Sequence, residues 1–345
     1  MVATLNDTKR QAIAEKLADM RALQNLIISN EKQFLSEMSD AELRKRFESM
    51  IQDDEKNLGV LETVITQYGI QSQPSSAVHE MVQKAQGMMK GSELSLYKKV
   101  TQHELIKHGQ VMSGLIVHKA AQIVGADIEA AITPLNTVNF ENRAHQEQLK
   151  GILEILGTRE LTGQDPDQGV WARVQDAVAA LSGVFGSAVT QSSDKSDMNI
   201  QDVIRMDHAK AKTLMSEIEG SNDASKMQEF FGQLYKDLLV HSEAEEQVVY
   251  PAIRGFYGEA NTQELFDEQA QLKNVLNQML SLSPTSTEFK RFLEQVKQMV
   301  NEHTSEEENA MFAAIRNNCS TEQQEKMATQ FKEAKKQLQT QMAQK

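Results

Sequence analysis

The stretch MQEFFGQLYKDLLVHSEAEEQVVYPA, residues 227–252, spaces its apolar residues as a helix does and sets two ionisable groups among them. Its stripe reads Met227, Phe231, Leu234, Leu238, His241, Glu245, Val248 and Ala252. Steps of three and four residues stay on one helix face, so His241 and Glu245 stack one turn apart on the side that turns inward. A second stretch repeats the arrangement with Phe289, Phe292, Val296, Met299, His303, Glu307, Ala310 and Ala314. A third histidine, His208, follows Ile204 and precedes Ala211 and Met215 on a stripe of its own.

One such histidine is accounted for by an ordinary hydrogen bond inside a core. Three histidines and two glutamates on inward stripes are a different matter, because burying that many polar groups without a shared partner is heavily destabilising. Imidazole and carboxylate donors together suit iron, manganese or zinc. The spacing therefore points to a metal site assembled between helices.

The rest of the chain fits an all-α protein. Only five prolines serve 345 residues, helix formers dominate, and alternating β-branched runs are scarce. Helices are expected over about 8–38, 40–68, 92–124 and 127–156, with a shorter one over 76–89. Asp40 is the expected N-cap of the second, and Gly69, Gly125 and Gly157 are the expected stops. A second set is expected over 199–219, 223–256, 262–282 and 285–317, followed by a polar helix over 321–342. That last helix offers only Met327, Phe331, Leu338 and Met342 as anchors, so it is expected to dock weakly or to mediate association, a second copy of the chain being one partner. The organisation is thus two four-helix bundles in tandem, 1–157 and 199–345, joined by a linker, 158–198, whose Trp171, Val174, Val178, Leu181 and Phe185 form one amphipathic helix.

A formal net charge of -13 points away from nucleic acid and from anionic membranes. The single cysteine, Cys319, excludes an intrachain disulfide, and no uncharged apolar run approaches the length of a membrane span. No leader-like segment stands at the start, and a reducing cytoplasm is the expected compartment. No phosphate-binding glycine loop and no nucleophile with a positioned base stands out.

The first half repeats itself. Aligning Asp54 with Asn142 superposes Phe47 on Leu135, Asn57 on His145, Leu61 on Leu149 and Gly69 on Gly157. Each segment carries a polar pair three residues apart on its core stripe, which is similar to the Glu-x-x-His plan of carboxylate-bridged dimetal bundles. This half resembles a ferritin-like domain with a damaged motif. The resemblance would put the remaining ligands near Gln24 on the first helix and near Glu104 or His108 on the third. With amides in place of carboxylates, a hydrogen-bonded core of His108, His145, Asp54 and Asn57 is expected rather than a dimetal centre. His79, His103 and His118 are read as surface or flank positions.

Residues 199–317 resemble the hemerythrin-like His-His-Glu cation-binding domains. The matching elements are Asp207-His208, the run HSEAEEQVVYP from His241, and the run HTSEEENAMF from His303. The resemblance implies an antiparallel bundle around a non-haem iron centre, mono- or di-iron, with His208, His241, Glu245, His303 and Glu307 as ligands. On the third helix, where the family usually has a histidine, this chain has Gln269, and residue 273, a second histidine in the oxygen carriers, is Lys273. That departure argues against oxygen carriage. It leaves a single or weakened dimetal site completed by Gln269, water or Glu268. The reading is an iron-binding protein of iron, oxygen or redox homeostasis, with oxygen or peroxide as small-molecule partners. The alternatives are an oxygen- or peroxide-reducing enzyme, with Tyr250 or Tyr257 beside the metal, and a metal-free scaffold with relic sites.

Overall fold

The computed structural model describes residues 7–166, 169, 173–174 and 199–343. Every helix and strand position among them is helical, so the all-α expectation holds. None of the described helices is long and apolar enough to cross a membrane. The amphipathic helix expected around Trp171 lies outside the described residues except for 173–174.

Among the described residues the first half holds six helices: α1 (Asp7–Glu37), α2 (Ala41–Tyr68), α3 (Ser76–Lys90), α4 (Leu96–Val124), α5 (Ala126–Ile132) and α6 (Leu135–Thr162). The long helices α1, α2, α4 and α6 pack into a four-helix bundle, and α3 lies against α1. Asp40 caps α2 as expected, its carboxylate accepting from the backbone N–H groups of Glu42 and Leu43. The helix expected over 127–156 is broken into α5 and α6 at Pro134, which lacks an N–H to continue the ladder. Gly157 does not stop α6. The helix runs on to Thr162 and ends at Gly163, whose φ of 72° is the left-handed conformation glycine adopts freely.

The second half holds α7 (Ile200–Gly220), α8 (Ala224–Ala244), α9 (Tyr250–Tyr257), α10 (Glu259–Met279), α11 (Thr287–Glu306), α12 (Phe312–Asn318) and α13 (Thr321–Ala343). Between α8 and α9, and again between α11 and α12, one wider π-helical turn is inserted, over Glu245–Val249 and Glu307–Met311. Such turns add a residue and recur at functional sites. Their effect on the core is direct. Beyond Glu245 the buried residues are Val249, Tyr250 and Ile253, and beyond Glu307 they are Met311, Phe312 and Ile315, so the buried face lies one position later than the expected stripe. Val248, Ala252, Ala310 and Ala314, expected inside, are exposed or half-buried.

Contrary to expectation, α13 docks closely. Met327, Ala328, Phe331, Ala334, Lys335 and Gln339 are all buried, and the helix packs on α7, on α8 and on the first π-turn. It also reaches the first half, where Lys332 donates to Thr63 at 3.2 Å and Gln339 to the carbonyl of Thr66 at 2.9 Å. Lys210 on α7 donates to the carbonyls of Gln67 and Tyr68 at 2.8 and 3.1 Å. The last carbonyls of a helix lack internal partners. Three of those of α2, on Thr66, Gln67 and Tyr68, are satisfied across the junction by the other half of the chain. The contact is sealed by Arg10, whose guanidinium meets Asp127 at 2.8 Å and Glu229 at 3.0 Å.

Candidate metal centre

The two π-turns begin at Glu245 and Glu307, the carboxylates that follow His241 and His303 by one turn. Both side chains are completely buried. Ligand atoms of His208, His241, Glu245 and Glu307 all lie within 4.8 Å of one another. His241 Nε2 stands 3.2 Å from Glu245 Oε2, and His208 Nε2 stands 3.2 Å from Glu307 Oε2. Four of these inward atoms, the Nε2 of His208 and His241 with Glu245 Oε1 and Glu307 Oε2, are buried without a hydrogen-bond partner. Buried polar atoms are rarely left so, and four converging on one point fit a bound cation.

The outer nitrogens are all engaged. Asp207 meets Nδ1 of His241 at 2.9 Å, Glu308 meets Nδ1 of His208 at 2.8 Å, and Glu268 meets Nδ1 of His303 at 2.6 Å. A carboxylate on Nδ1 holds the proton there and leaves the Nε2 lone pair facing inward, as metal-binding histidines require. Glu268, one of three alternatives for completing the site beside Gln269 and water, is the partner that orients His303. Asp207 and Glu308 adjoin site residues in sequence, which was the available signal for their role.

His303 stands on the opposite side of the cluster, 3.4 Å from Glu307 Oε1. Two further groups share that side. Gln269 is 1% exposed and its amide nitrogen lies 2.9 Å from both Glu245 Oε2 and His303 Nε2. The hydroxyl of Ser242 donates to the carbonyl oxygen of the Gln269 amide, which turns the NH₂ group inward. Tyr250, fully buried, donates its hydroxyl to Glu307 Oε1 at 2.9 Å and lies 3.3 Å from Glu245 Oε2. It reaches the centre because the π-turn rotates it inward. Tyr257 remains outside, bonded to Glu306.

The electrostatics favour a cation. Burial and the neighbouring Glu307 push the Glu245 carboxyl well above the usual carboxylate range. Burial pushes Glu307 up as well, but His303 and His208 outweigh it and hold that carboxyl well below its ordinary value. Two fully desolvated carboxylates resist carrying two negative charges side by side until a positive charge comes between them.

Residues 199–315 match the hemerythrin HHE cation binding domain. Over 98% of its length the chain is 62% identical to a Nostoc sp. protein named DNA nickase, covering 97% of that protein. The chain belongs to that protein's family, and its second bundle is a hemerythrin HHE domain. An uncharacterized hemerythrin-like protein of Schizosaccharomyces pombe is 26% identical over 140 residues, 40% of this chain and 69% of that one. No solved structure matches the chain. The HHE match runs from α7 to Ile315 within α12 and stops short of α13. A cavity of about 20 Å³ adjoins the HHE centre, lined by His208, His241, Gln269 and His303 among others. That is room for one water-sized molecule.

The first bundle holds a different cluster. Lys107 on α4 is completely buried and donates to Glu31 Oε1 at 2.9 Å, Asp54 Oδ2 at 2.5 Å and His145 Nδ1 at 2.7 Å. His103, expected on a flank, is also fully buried and lies 3.1 Å from Glu31. His108, expected in the core, is exposed and meets Gln146, as does Glu104. Gln24 does face inward, its amide donating to Asp54 at 2.9 Å. Asp54, Asn57, Asn142 and His145 are all buried. Here the positive charge among the carboxylates is an ammonium of the chain itself. The signal in the sequence was Lys107 lying four residues after His103 and three before Gln110 on the stripe of Val100, Gly114 and Val117.

Proposed function

We propose that the protein binds non-haem iron in its HHE domain and acts in iron, oxygen or redox homeostasis, with manganese or zinc as alternative ions. The observation that carries this reading is the set of four unpartnered inward atoms on His208, His241, Glu245 and Glu307, with each histidine of the site oriented by a carboxylate on its outer nitrogen. Two carboxylates balance one divalent ion, so that quartet is the principal position. His303, Gln269 and Tyr250 border a weaker second one. A bound iron would supply electron exchange with oxygen or peroxide. Tyr250, kept protonated by burial and by the two glutamates, serves as a hydrogen-bond donor at the edge of the site. The first bundle, read as a ferritin-like unit, needs no ion because Lys107 stands between its carboxylates and His145 adds an imidazole beside Asp54.

A second reading, DNA strand nicking, is favoured by the name of the 62% identical relative. A nucleotide cannot enter a cavity of about 20 Å³. Nicking would then be carried by residues outside this centre or by a small diffusible species. The test measures bound iron, manganese and zinc in the purified chain and in His241→Ala, and runs both on supercoiled plasmid with and without chelator. Metal lost in His241→Ala supports the binding site. Undiminished metal in that variant refutes it. Nicking that survives both the variant and the chelator separates strand cleavage from the metal.

A further inference from the structure

We infer that Lys335, on the terminal helix and beyond the stretch that matches the HHE family, is a positioning residue of the metal centre; the inference rests on the metal-binding reading above. Its ammonium, 4% exposed, grips both carboxylate oxygens of Asp207, at 2.5 and 2.7 Å. Asp207 Oδ2 in turn meets His241 Nδ1 at 2.9 Å. Two contacts on one carboxylate set its plane as well as its place, and a fixed plane holds the imidazole with its Nδ1 proton outward and Nε2 toward Glu245. The same helix steadies the ring from a second direction, since Phe331 stands edge-on to His241 with centroids 5.9 Å apart.

The three outer carboxylates differ in what they need. Glu308 and Glu268 each have about a third of their side chain in solvent, which hydrates their charge. Asp207 has 8%, so its charge requires a buried cation, and Lys335 is in contact with it. The HHE stretch thus depends on α13 to complete the support of His241. Because Lys332 and Gln339 of α13 also hold the end of α2, the helix links that support to the first bundle.

The experiment titrates cobalt(II) alone into the full-length metal-free chain and its variants, reading affinity and the visible absorption of the bound ion. Lys335→Met keeps the length of the side chain without its charge and is expected to weaken cobalt binding about 10- to 100-fold and to alter the spectrum. Lys335→Arg restores a cation and most of the affinity. Lys336→Met, one exposed position along, matches the unaltered chain. Far-ultraviolet circular dichroism follows helix content in each. Unchanged affinity and spectrum in Lys335→Met overturn the inference and leave the metal site standing. Equal losses in the Met and Arg variants with lowered helix content show a purely structural role and also overturn it. No cobalt on the unaltered chain overturns the metal-binding reading and the inference together.

Discussion

Replacing Lys107 by methionine removes the ammonium that stands between Glu31 and Asp54 in the core of the first bundle. All three side chains have no measurable exposure. Breaking a buried ion pair by deleting one partner costs about 3–5 kcal/mol, because the charge left behind has neither water nor a counter-ion. Here one deletion takes the ammonium from two carboxylates at once, leaving only the imidazoles of His103 and His145 beside them, and removes the donor to His145 Nδ1, which places the expected loss at the upper end, about 5 kcal/mol. For a unit of this size 1 kcal/mol moves the midpoint by roughly 2–4 °C, so Tm should fall by about 10–20 °C. The pH dependence has a definite sign. Burial pushes Asp54 up, but Lys107 outweighs it and holds the folded carboxyl below the ordinary range. A depressed carboxylate contributes stability above its unfolded value of about 3.9 and loses it as pH falls toward the folded value. The gap between the natural chain and Lys107→Met is therefore full at neutral pH and narrows below about pH 4. Thermal unfolding followed by circular dichroism, with and without chelator, measures it. A neutral-pH loss under about 2 °C, or a loss confined to metal-loaded protein, would refute the claim that this ammonium replaces a metal ion in the bundle.

Three further outcomes are expected. Gln269→His adds an imidazole on a side chain already 2.9 Å from His303 Nε2, and should raise the metal content toward two per chain; elemental analysis showing no gain would count against the second position. Glu307→Gln removes the anion shared by His208 and His303 and should weaken metal binding by at least the roughly 10- to 100-fold that loss of an outer-shell partner costs, a drop that titration would show or exclude. Arg10→Met leaves Asp127 buried without its guanidinium and should destabilise the junction between the halves by about 3–5 kcal/mol, read by urea unfolding; a change within about 0.5 kcal/mol would show that the contact contributes nothing.

Helical periodicity is a local property, so residues three and four apart on one stripe could be assigned to one face without knowing the neighbours. That is why the all-α class and the inward His208, His241, Glu245, Gln269, His303 and Glu307 could be read from the chain alone. The same rule placed Asp40 and Gly69 at the ends of α2, where capping depends on a few adjacent residues. It failed where periodicity itself changes. The π-turns after His241 and His303 advance the buried face by one residue, exchanging Val248 for Val249 and bringing Tyr250 against the glutamates. It failed again for long flexible side chains, whose ends are positioned by partners rather than by their own helix. The spacing of Lys107 puts it on the inward stripe of α4, but the partners of its ammonium, Glu31 and Asp54, come from other helices. Lys335 reaches the carboxylate behind His241 from 128 residues beyond Asp207, because α13 folds back over α7 and α8. Which donors face inward was encoded by spacing along each helix; which charges neutralise them followed from how the helices pack.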